Sequence, residues 1–366
     1  MKDIVAPHIL ALTAYEPGKP EDELRRELGI EEIVKLASNE SPYGPSPKAL
    51  DALSSGNLQL HRYPDPRGHD LREALAGHHS IPADQICLGN GSNELIDLLC
   101  RVCTSRGEHA VFGHPSFPCY RIGSIAQELS YSAVSLRDDL HWNVDDLLEA
   151  VAPKTKLLFV SNPNNPTGSY IAGAELKRLL ASVPEQVLVV VDEAYVEYAD
   201  APDFRPATGL RGARERLAVL RTFSKAYGLA ALRVGYVIGT PELVFALNRL
   251  RAPFNVGTIG QHLARLVLSD QEHLATTVEA CLRDRSKLRE ALNERGLEVA
   301  PSQANFLLTK MPKAGRAVSD ALLREGVIVR AMPPPLESWI RVTVGRPEEN
   351  SRFLESLERV LRESRG

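Results

Sequence analysis

Short apolar runs alternate with helical segments through the middle of the chain. From residue 85 onward, runs such as ICLG, HAVFG, KLLFV and QVLVVV are each followed by a segment with a helical repeat. Alternating strands and helices are typical of an α/β domain with a largely parallel sheet, and the β-branched run at 187–191 indicates a strand buried on both faces. After about residue 258 the pattern changes to long amphipathic helices, at 261–268 and 273–295, followed by three short predicted strands, SQANFLLTK, GVIVRAM and WIRVTVG.

This change of pattern divides the chain into segments. Prolines break up residues 1–30, which we expect to form an arm that packs on the small domain or on a dimer partner. Residues 31–260 are predicted to form a large domain with a mostly parallel, mixed sheet flanked by helices. Residues 261–366 are predicted to form a smaller α+β domain. A loop rich in Pro, Gly, Ser and Asn at 39–46 is either a linker or a segment that lines a ligand.

Composition excludes several classes of function. The 366 residues are 43% hydrophobic and 25% charged with a net charge of −4, which is typical of a soluble globular protein. We expect neither nucleic acid nor membrane as a partner, because there is no basic stripe and no apolar stretch of the about 18–20 residues that span a bilayer. The opening residues do not resemble a signal peptide. The sequence therefore predicts a cytoplasmic protein.

The cysteines and histidines do not indicate a metal site. Cys100 and Cys103 form an isolated CxxC within a helical pattern, which favours two thiols on a buried helix face over a zinc site. The histidines do not occur in the HExxH spacing. We therefore expect no metal.

Candidate ligand-binding residues follow the predicted strands. Gly91, Asn165, Asp192 and Lys225 each come at or just after the end of an apolar run. In open α/β sheets, ligands bind in the crevice outside the carboxyl ends of the strands. These four residues are therefore predicted to line one edge of the sheet.

Two nucleotide-binding motifs are only partly matched. The segment GNGSNE follows a strand and precedes a helix, but Glu94 stands where the dinucleotide fingerprint has its third glycine. The backbone amides of Gly91, Ser92 and Asn93 at the helix N-terminus can still hold a phosphate. The run VLVVVDE resembles a Walker B strand, but the sequence has no GxxxxGK[ST] upstream of it. A phosphate site is predicted, but not a dinucleotide fold or a P-loop.

Lys225 lies between two groups that suit a phosphate. Ser224 precedes it and Arg233 follows shortly after. This grouping has a chemical meaning if the ligand is pyridoxal 5'-phosphate (PLP), because the lysine can form an imine with the aldehyde while the hydroxyl and the guanidinium hold the phosphate. Taken alone, the same grouping fits an ordinary solvated turn.

Four further residues complete a set that suits PLP. Asp192 can place an anion beside the pyridine nitrogen, which keeps the ring protonated as an electron sink. Asn165 and Tyr195 offer donors to the 3'-oxygen of the ring, and Phe117 offers an aromatic face for stacking. Each residue alone also fits a turn, a cap or the core, but their joint occurrence favours a PLP site.

The chain resembles the fold-type I PLP-dependent aminotransferases, and within them it is most similar to the histidinol-phosphate branch. The resemblance runs from the N-terminal arm to the C-terminus. It is carried by the segments AYEPGKP, KLASNESPYGPSP, RYPDP, GNGSNELI, NPNNPTG, VVVDEAY, RTFSKAYGLAALRVG, SQANFLL, GVIVR and IRVTVGRPEEN. NPNNPTG and the SKA motif with its distal arginine mark the whole superfamily, whereas the arm, the SNESPYGPSP loop and RYPDP are more particular to the branch.

The resemblance implies roles for the cofactor residues. Lys225 would be the Schiff-base lysine and the acid/base for the proton shift, with Asp192 paired to the pyridinium. Ser92 would bind the cofactor phosphate together with Ser224 and Arg233. Phe117 stands where many relatives carry tyrosine.

The resemblance also implies a substrate pocket. Arg341 matches the arginine that in this branch meets the substrate phosphate, and Arg330 is similar to its partner. Tyr63 looks like the residue that reaches in from the neighbouring subunit of a homodimer, and Tyr15 and Asn39 line the same pocket. An arginine pair suits a phosphate dianion because of its bidentate geometry.

The activity implied is amino-group transfer between L-histidinol phosphate and 2-oxoglutarate, which gives imidazole acetol phosphate and L-glutamate in histidine biosynthesis. An aromatic amino-acid aminotransferase and a threonine-phosphate decarboxylase of the same branch remain alternatives. The proline-rich segment AMPPPLESW lacks the usual glycine and GSNE replaces the commoner GSDE, which bears on the substrate more than on the reaction. A PLP-binding regulatory module is a third alternative, but it predicts a DNA-binding segment for which the sequence has no pattern.

Overall fold

The structure is a computed structural model that describes residues 4–13, 18–56 and 59–363. Tyr15, which is predicted to line the substrate pocket, lies outside the described residues. The α-helices, in chain order, are α1 (Pro7–Leu10), α2 (Glu21–Leu28), α3 (Pro47–Ser54), α4 (His69–His79), α5 (Gly91–Cys103), α6 (Cys119–Ala126), α7 (Val144–Glu149), α8 (Gly173–Ser182), α9 (Pro241–Leu250), α10 (Thr258–Ser269), α11 (Gln271–Glu294), α12 (Gly315–Arg324) and α13 (Pro347–Glu363).

The strands follow the apolar runs of the sequence. They are β1 (Val34–Lys35), β2 (Ile86–Asn90), β3 (His109–His114), β4 (Ser130–Ser135), β5 (Thr155–Ser161), β6 (Leu188–Asp192), β7 (Leu217–Thr222), β8 (Val234–Ile238), β9 (Phe306–Lys310), β10 (Val327–Ile328), β11 (Arg330–Ala331) and β12 (Trp339–Thr343).

Seven strands in the described part of the chain form one large sheet. Their order is β2-β8-β7-β6-β5-β3-β4, and β8 pairs antiparallel with both of its neighbours while the other pairs are parallel. The strands β2, β3, β4, β5, β6 and β7 therefore point in one direction. Their carboxyl ends meet at one edge, where an open α/β sheet binds its ligands.

Helices cover both faces of this sheet. Leu95 and Leu99 of α5 pack with the side chains of one face, and Leu71 and Leu75 of α4 belong to the core on the other face. Every residue of β7 is buried, as expected for a central strand with helices on both sides. Burial of both faces leaves the strand ends as the part of the sheet that a ligand can reach.

A smaller unit follows in sequence. It contains a three-stranded antiparallel sheet, β11-β12-β9, and the strands β1 and β10 pair parallel beside it. Its core includes Leu307 of β9, Leu322 of α12 and Phe353 of α13. The large, mostly parallel sheet and this smaller unit confirm the predicted α/β architecture.

The segment GVIVRAM differs from the single strand predicted for it. Val327 and Ile328 pair with β1, whereas Arg330 and Ala331 pair with β12. Val329 between them is buried. The β-branched run at 327–329 cannot reveal that the chain changes its pairing partner after it, because both partner strands are distant in sequence.

Near both predicted domain boundaries, segments assigned to one domain contact the other. β1, which lies after residue 31, pairs with β10 of the smaller unit. Leu263 and Val267 of α10, which follow residue 260, lie in the core of the large sheet. The boundaries at 30 and 260 stay predictions. Among the helices that the structure describes, none is long and apolar enough to cross a membrane.

Candidate active site

The predicted strand-end residues come together at the carboxyl edge of the large sheet. Asp192 is the last residue of β6, Gly91 follows β2 directly, and Lys225 lies in the turn after β7. Asn165 lies in the loop after β5, which the side chain of Asn164 braces by donating to Thr167 Oγ1 at 2.9 Å. Since these four strands run parallel, the fold alone brings the residues to one edge.

Asp192 is a buried carboxylate with two hydrogen-bond donors. Its exposed fraction is 4%, and it accepts hydrogen bonds from the Tyr120 hydroxyl at 2.8 Å and from the Ala194 amide at 3.2 Å. Burial raises the pKa of Asp192 to about 6, although these two donors and the Lys225 charge act in the opposite direction. The carboxylate is therefore costly to charge until a cation pairs with it.

Lys225 is a partly buried amine with a lowered pKa. Burial lowers the pKa of Lys225 to about 7, and the charge of Arg341 acts in the same direction. Its Nζ donates to the Ser38 carbonyl at 3.0 Å and lies 5.8 Å from the centroid of the Tyr195 ring. Near neutral pH a large share of the amine is unprotonated, which is the state in which it is nucleophilic.

Beside Lys225 lie the Ser224 hydroxyl, the Arg233 guanidinium and the N-terminus of α5. Arg233 Nη1 donates to Ser224 Oγ at 3.2 Å, and a side chain on Gly91 would place its Cβ 2.5 Å from Arg233 Nη2. A Cβ on Gly235 would lie 2.5 Å from the Ser92 nitrogen. Glycine at both positions therefore lets the guanidinium and the start of α5 approach closely enough to share one anion.

The turn before α5 uses some of the predicted groups internally. The Gly91 amide donates to the Arg233 carbonyl at 2.9 Å, and Asn93 is exposed. Glu94 accepts from the Asn90 amide and from Asn255 Nδ2, both at 2.6 Å. The residue that breaks the dinucleotide fingerprint thus holds the turn closed.

The two predicted substrate arginines face each other across a strand pair. Arg330 of β11 lies opposite Arg341 of β12 in the antiparallel register, so the two side chains project from the same face of the sheet. Arg341 is 8% exposed and donates to Asn165 Oδ1 at 2.5 Å and to the Ala37 carbonyl at 2.7 Å. Lys225 Nζ donates to the neighbouring carbonyl, that of Ser38, so the guanidinium lies close to this amine.

Tyr195 and Asn39 are in direct contact. Asn39 Nδ2 donates to the Tyr195 hydroxyl at 2.9 Å. Both residues are buried, with exposed fractions of 1% for Asn39 and 4% for Tyr195. The hydroxyl predicted to contact the cofactor thus has a defined partner in the polar loop at 39–46.

Phe117 and Tyr120 pack edge to face. Their ring centroids are 5.9 Å apart with an interplanar angle of 80°. Tyr120 is a residue that the sequence analysis missed, although it donates to Asp192. A signal was present, because Tyr120 follows Phe117 by only about three residues, which is close enough for the two rings to meet.

A buried ion cluster adjoining Asp192 was also missed. Arg221 of β7 pairs with Glu193 at 2.7 Å, and Glu197 lies 3.7 Å from the same guanidinium. Burial raises the pKa of Glu193, and the charge of Arg221 opposes this shift. Since Glu193 follows Asp192 directly, the cluster fixes the backbone at the end of β6.

Tyr63 lies on the surface of the single chain. Its exposed fraction is 81%, and its ring stacks on Phe254 with centroids 4.5 Å apart. Among the residues that the structure describes, no contact joins Tyr63 to Lys225 of the same chain. Those residues also contain no group of three or more His, Cys, Asp or Glu side chains that could hold a metal.

The donor set matches the chemistry of PLP. A buried carboxylate suits the ring nitrogen, an amine of lowered pKa suits the aldehyde, and a guanidinium beside a serine and a glycine turn suits the phosphate. The close approach that Gly91 and Gly235 allow is made at the phosphate end. The residues at this edge of the sheet therefore fit the predicted cofactor.

Known proteins resemble the chain over its whole length. The family model described as aminotransferase class I and II matches residues 31–357. The histidinol-phosphate aminotransferase of Anaeromyxobacter sp. (strain Fw109-5) is 41% identical over 98% of this chain and 99% of its own. The histidinol-phosphate aminotransferase 2 of Pseudomonas aeruginosa is 42% identical over 99% of both chains.

A solved structure resembles the fold closely. The histidinol-phosphate aminotransferase of Sinorhizobium meliloti, crystallised in complex with pyridoxal-5'-phosphate, has a TM-score of 0.91 at 28% identity and covers 100% of this chain and 99% of its own. This similarity confirms the predicted fold class. With the family model matched across both units of the fold, the chain belongs to the aminotransferase class I and II family.

Proposed function

We propose that this protein is a PLP-dependent transaminase that moves an amino group between L-histidinol phosphate and 2-oxoglutarate. Relatives that are 38–42% identical over nearly the full chain carry the name histidinol-phosphate aminotransferase. The S. meliloti neighbour was solved with pyridoxal-5'-phosphate. These names support both the cofactor and the reaction for this chain.

The arginine pair is the observation that carries the choice of substrate. Arg330 and Arg341 lie opposite each other on adjacent strands, and Arg341 and Lys225 donate to adjacent carbonyl groups. Two guanidinium groups beside a reactive amine suit a substrate with a dianionic phosphate, and 2-oxoglutarate offers carboxylates to the same groups in the second half of the reaction.

The cofactor-binding residues divide the work at the ring. Bound PLP supplies an electron sink for the charge left when the substrate loses its Cα proton, and it carries the amino group between the two half-reactions. Asp192 holds a proton at the ring nitrogen. Asn165 and Tyr195 bind the 3'-oxygen, and Phe117 offers an aromatic face.

Lys225 is the proposed acid and base. Its Nζ would hold the cofactor covalently at rest and, as the free amine left once the substrate's amino group has displaced it, would take up the proton of the substrate Cα. A pKa lowered to about 7 suits this role, because a general base works best when its pKa lies near the operating pH. Ser92, Asn93, Ser224 and Arg233 form the proposed phosphate site, and Gly91 contributes by leaving room for the Arg233 guanidinium.

Replacing the lysine tests the covalent assignment. The wild-type protein with PLP is expected to show the visible absorption of a cofactor joined to a lysine, and Lys225→Ala is expected to lose it. Lys156→Ala, which changes a lysine outside the site, is the matched control. Persistence of the covalent absorption in Lys225→Ala would show that another amine binds the cofactor.

Substrate comparison tests the rest of the proposal. We expect kcat/KM for L-histidinol phosphate to exceed that for phenylalanine, and we expect amino-group transfer without release of carbon dioxide from threonine phosphate. Arg341→Lys keeps the charge but loses the bidentate geometry, so KM for histidinol phosphate should rise. A higher kcat/KM for phenylalanine would assign the protein to the aromatic aminotransferases instead.

We further propose a homodimer in which Tyr63 contributes to the partner's site. Tyr63 and Leu60 are large apolar side chains with exposed fractions of 81% and 69%, a degree of exposure that favours an interface. Mixing Tyr63→Ala with Lys225→Ala subunits tests this, because a mixed dimer then has one complete site. Such mixtures should recover about one quarter of wild-type activity in a twofold-symmetric dimer. Activity no greater than that of the separate variants would show that Tyr63 acts within its own chain or not at all.

We also propose a cytoplasmic location. The five cysteines are free thiols, and Cys87, Cys100 and Cys281 are buried. Free thiols fit a reducing compartment. Cell fractionation followed by detection of the protein tests the proposal, and recovery in an exported fraction would contradict it.

A further inference from the structure

The segment Leu36–Asn39 connects the smaller unit with the catalytic lysine. Its four consecutive carbonyl groups each accept a hydrogen bond from a different part of the site. The donors are the Thr343 amide to Leu36 at 2.8 Å, Arg341 Nη2 to Ala37 at 2.7 Å, Lys225 Nζ to Ser38 at 3.0 Å and Asn305 Nδ2 to Asn39 at 3.1 Å.

Asn39 ends this segment in an unusual conformation. Its φ is 56°, in the left-handed region that Asn tolerates better than most residues. Its backbone amide donates to Thr343 Oγ1 at 3.0 Å, and its side-chain Oδ1 accepts from the same hydroxyl at 3.2 Å. Its Nδ2 donates to the Tyr195 hydroxyl at 2.9 Å. Every polar group of Asn39 is therefore directed by a named contact.

We propose that Asn39 is a positioning residue for the reaction, whose amide turns the Tyr195 hydroxyl toward the ring oxygen of the cofactor and is itself oriented by Thr343. The inference rests on the proposed function, because it uses the assignment of Tyr195 to that oxygen. It gives the polar loop at 39–46 a role in tuning the cofactor, in addition to the substrate contact predicted for Asn39.

The directions of the hydrogen bonds carry the argument. The Thr343 hydroxyl accepts from the Asn39 amide and so donates its own proton to Asn39 Oδ1. This places the Nδ2 group of Asn39 toward Tyr195. A tyrosine hydroxyl that accepts one proton becomes a better donor of its own, because hydrogen bonds in a chain strengthen one another.

The position of Thr343 ties this effect to the substrate site. Thr343 and Arg341 are alternate residues of β12, so both side chains project from the same face of the strand. Arg341 contacts the segment at Ala37, and Thr343 contacts it at Leu36 and Asn39. The strand that carries the substrate arginine thus also orients the amide that contacts Tyr195.

The contact between Asn39 and Tyr195 is predicted to change the pKa of the chromophore that the cofactor forms with Lys225. A donor to the ring oxygen offsets its negative charge, so the nitrogen that joins Lys225 to the cofactor holds its proton less tightly. Loss of that donation should raise the pKa of the cofactor–Lys225 chromophore by about one unit, the size expected for one hydrogen bond to a charged group. A residue that only supports the backbone has no reason to change this pKa.

The experiment is a spectrophotometric pH titration of the PLP-loaded protein. The variants are Asn39→Gly, which keeps access to the left-handed backbone conformation, Thr343→Val, which removes the hydroxyl at similar volume, and Tyr195→Phe. Thr343→Ser is the conservative variant. The double variant Asn39→Gly with Tyr195→Phe closes a mutant cycle, and melting temperatures are recorded for every protein.

The proposal expects one pattern of shifts. Asn39→Gly, Thr343→Val and Tyr195→Phe should each raise the pKa of the chromophore, Thr343→Ser should restore it, and Asn39→Gly should add nothing once Tyr195 is Phe. The proposal is overturned if Tyr195→Phe raises this pKa while Asn39→Gly and Thr343→Val do not, or if the two shifts add in the double variant. An unchanged pKa in Tyr195→Phe alone overturns the assignment of Tyr195 together with this inference.

Discussion

Replacing Asp192 by Asn should stabilise the cofactor-free protein at alkaline pH while weakening the binding of PLP. The carboxylate is 4% exposed, and burial raises its pKa from 3.8 to about 6. Asn has the same shape and cannot ionise. The Ala194 amide can still donate to the side-chain oxygen, and the Tyr120 hydroxyl can accept from the new amide group.

The direction in which stability changes with pH follows from the linkage between proton binding and folding. Because the pKa of Asp192 is raised in the folded protein, the favourable contribution is fully present below pH 3.8 and is lost as the pH rises through about 6. The shift of about 2 units corresponds to about 3 kcal/mol. The free energy of unfolding of Asp192→Asn, relative to wild type, should therefore rise between about pH 4 and pH 7 by up to about 3 kcal/mol and then level off.

Denaturant unfolding of the cofactor-free proteins at a series of pH values measures this difference. Protein concentration is held fixed, because the stability of the proposed dimer would depend on it. Asp138→Asn removes an exposed carboxylate and controls for the loss of one surface charge. Adding PLP should reverse the order of stability, since the ring nitrogen gives the Asp192 carboxylate a cation to pair with.

A difference between the two proteins that does not change with pH would refute the reasoning. The change of this stability difference with pH is more informative than its value at any one pH, because that value also contains any change in packing around the new amide. If Asp192→Asn lost stability relative to wild type as the pH rose, the carboxylate would have to be charged at lower cost than its burial implies.

Three further predictions concern the same site. Tyr120→Phe removes a donor to Asp192 and should raise the pKa of that carboxyl by about one unit. As the pH is lowered, PLP binding should then begin to weaken at a higher pH than in the wild type; an unchanged pH dependence would contradict this. Gly235→Ala places a Cβ 2.5 Å from the Ser92 nitrogen and should weaken PLP binding by about tenfold or more in a titration, whereas equal affinity would show that the turn relaxes freely. Because only the unprotonated amine reacts, the rate of PLP capture by Lys225 should reach half its maximum near pH 7; a midpoint near that of an ordinary lysine, about 10.4, would show that the amine is not perturbed.

The cofactor end of the site could be predicted from the sequence because strand direction determines it. Asp192, Asn165 and Lys225 each follow an apolar run, and parallel strands bring their carboxyl ends to one edge. The amine of Lys225 also lies close to Arg341, because the two side chains donate to the adjacent carbonyls of Ser38 and Ala37. Local pattern and one rule of topology were sufficient for this part.

The contacts made by the smaller unit could not be predicted in this way. Arg341 donates to Asn165 across 176 positions of sequence, and Asn39 donates to Thr343 across 304. No periodicity links residues so far apart, and the resemblance to a family supplied candidate residues without their partners. The same limit explains why Tyr120 was missed although it is close to Phe117 in sequence: its importance comes from Asp192 on a distant strand.

The two perturbed groups of the site give a physical reason for its affinity for PLP. Burial raises the pKa of Asp192 and lowers that of Lys225, so the folded protein without cofactor disfavours the charged form of both. In the proposed binding mode both costs are removed, since the carboxylate would gain the protonated ring nitrogen as a partner and the amine would condense with the aldehyde, releasing water. A site of two stable, well-solvated charges would gain less from the same ligand. The destabilisation that Asp192→Asn is expected to relieve is therefore part of the free energy that holds the cofactor.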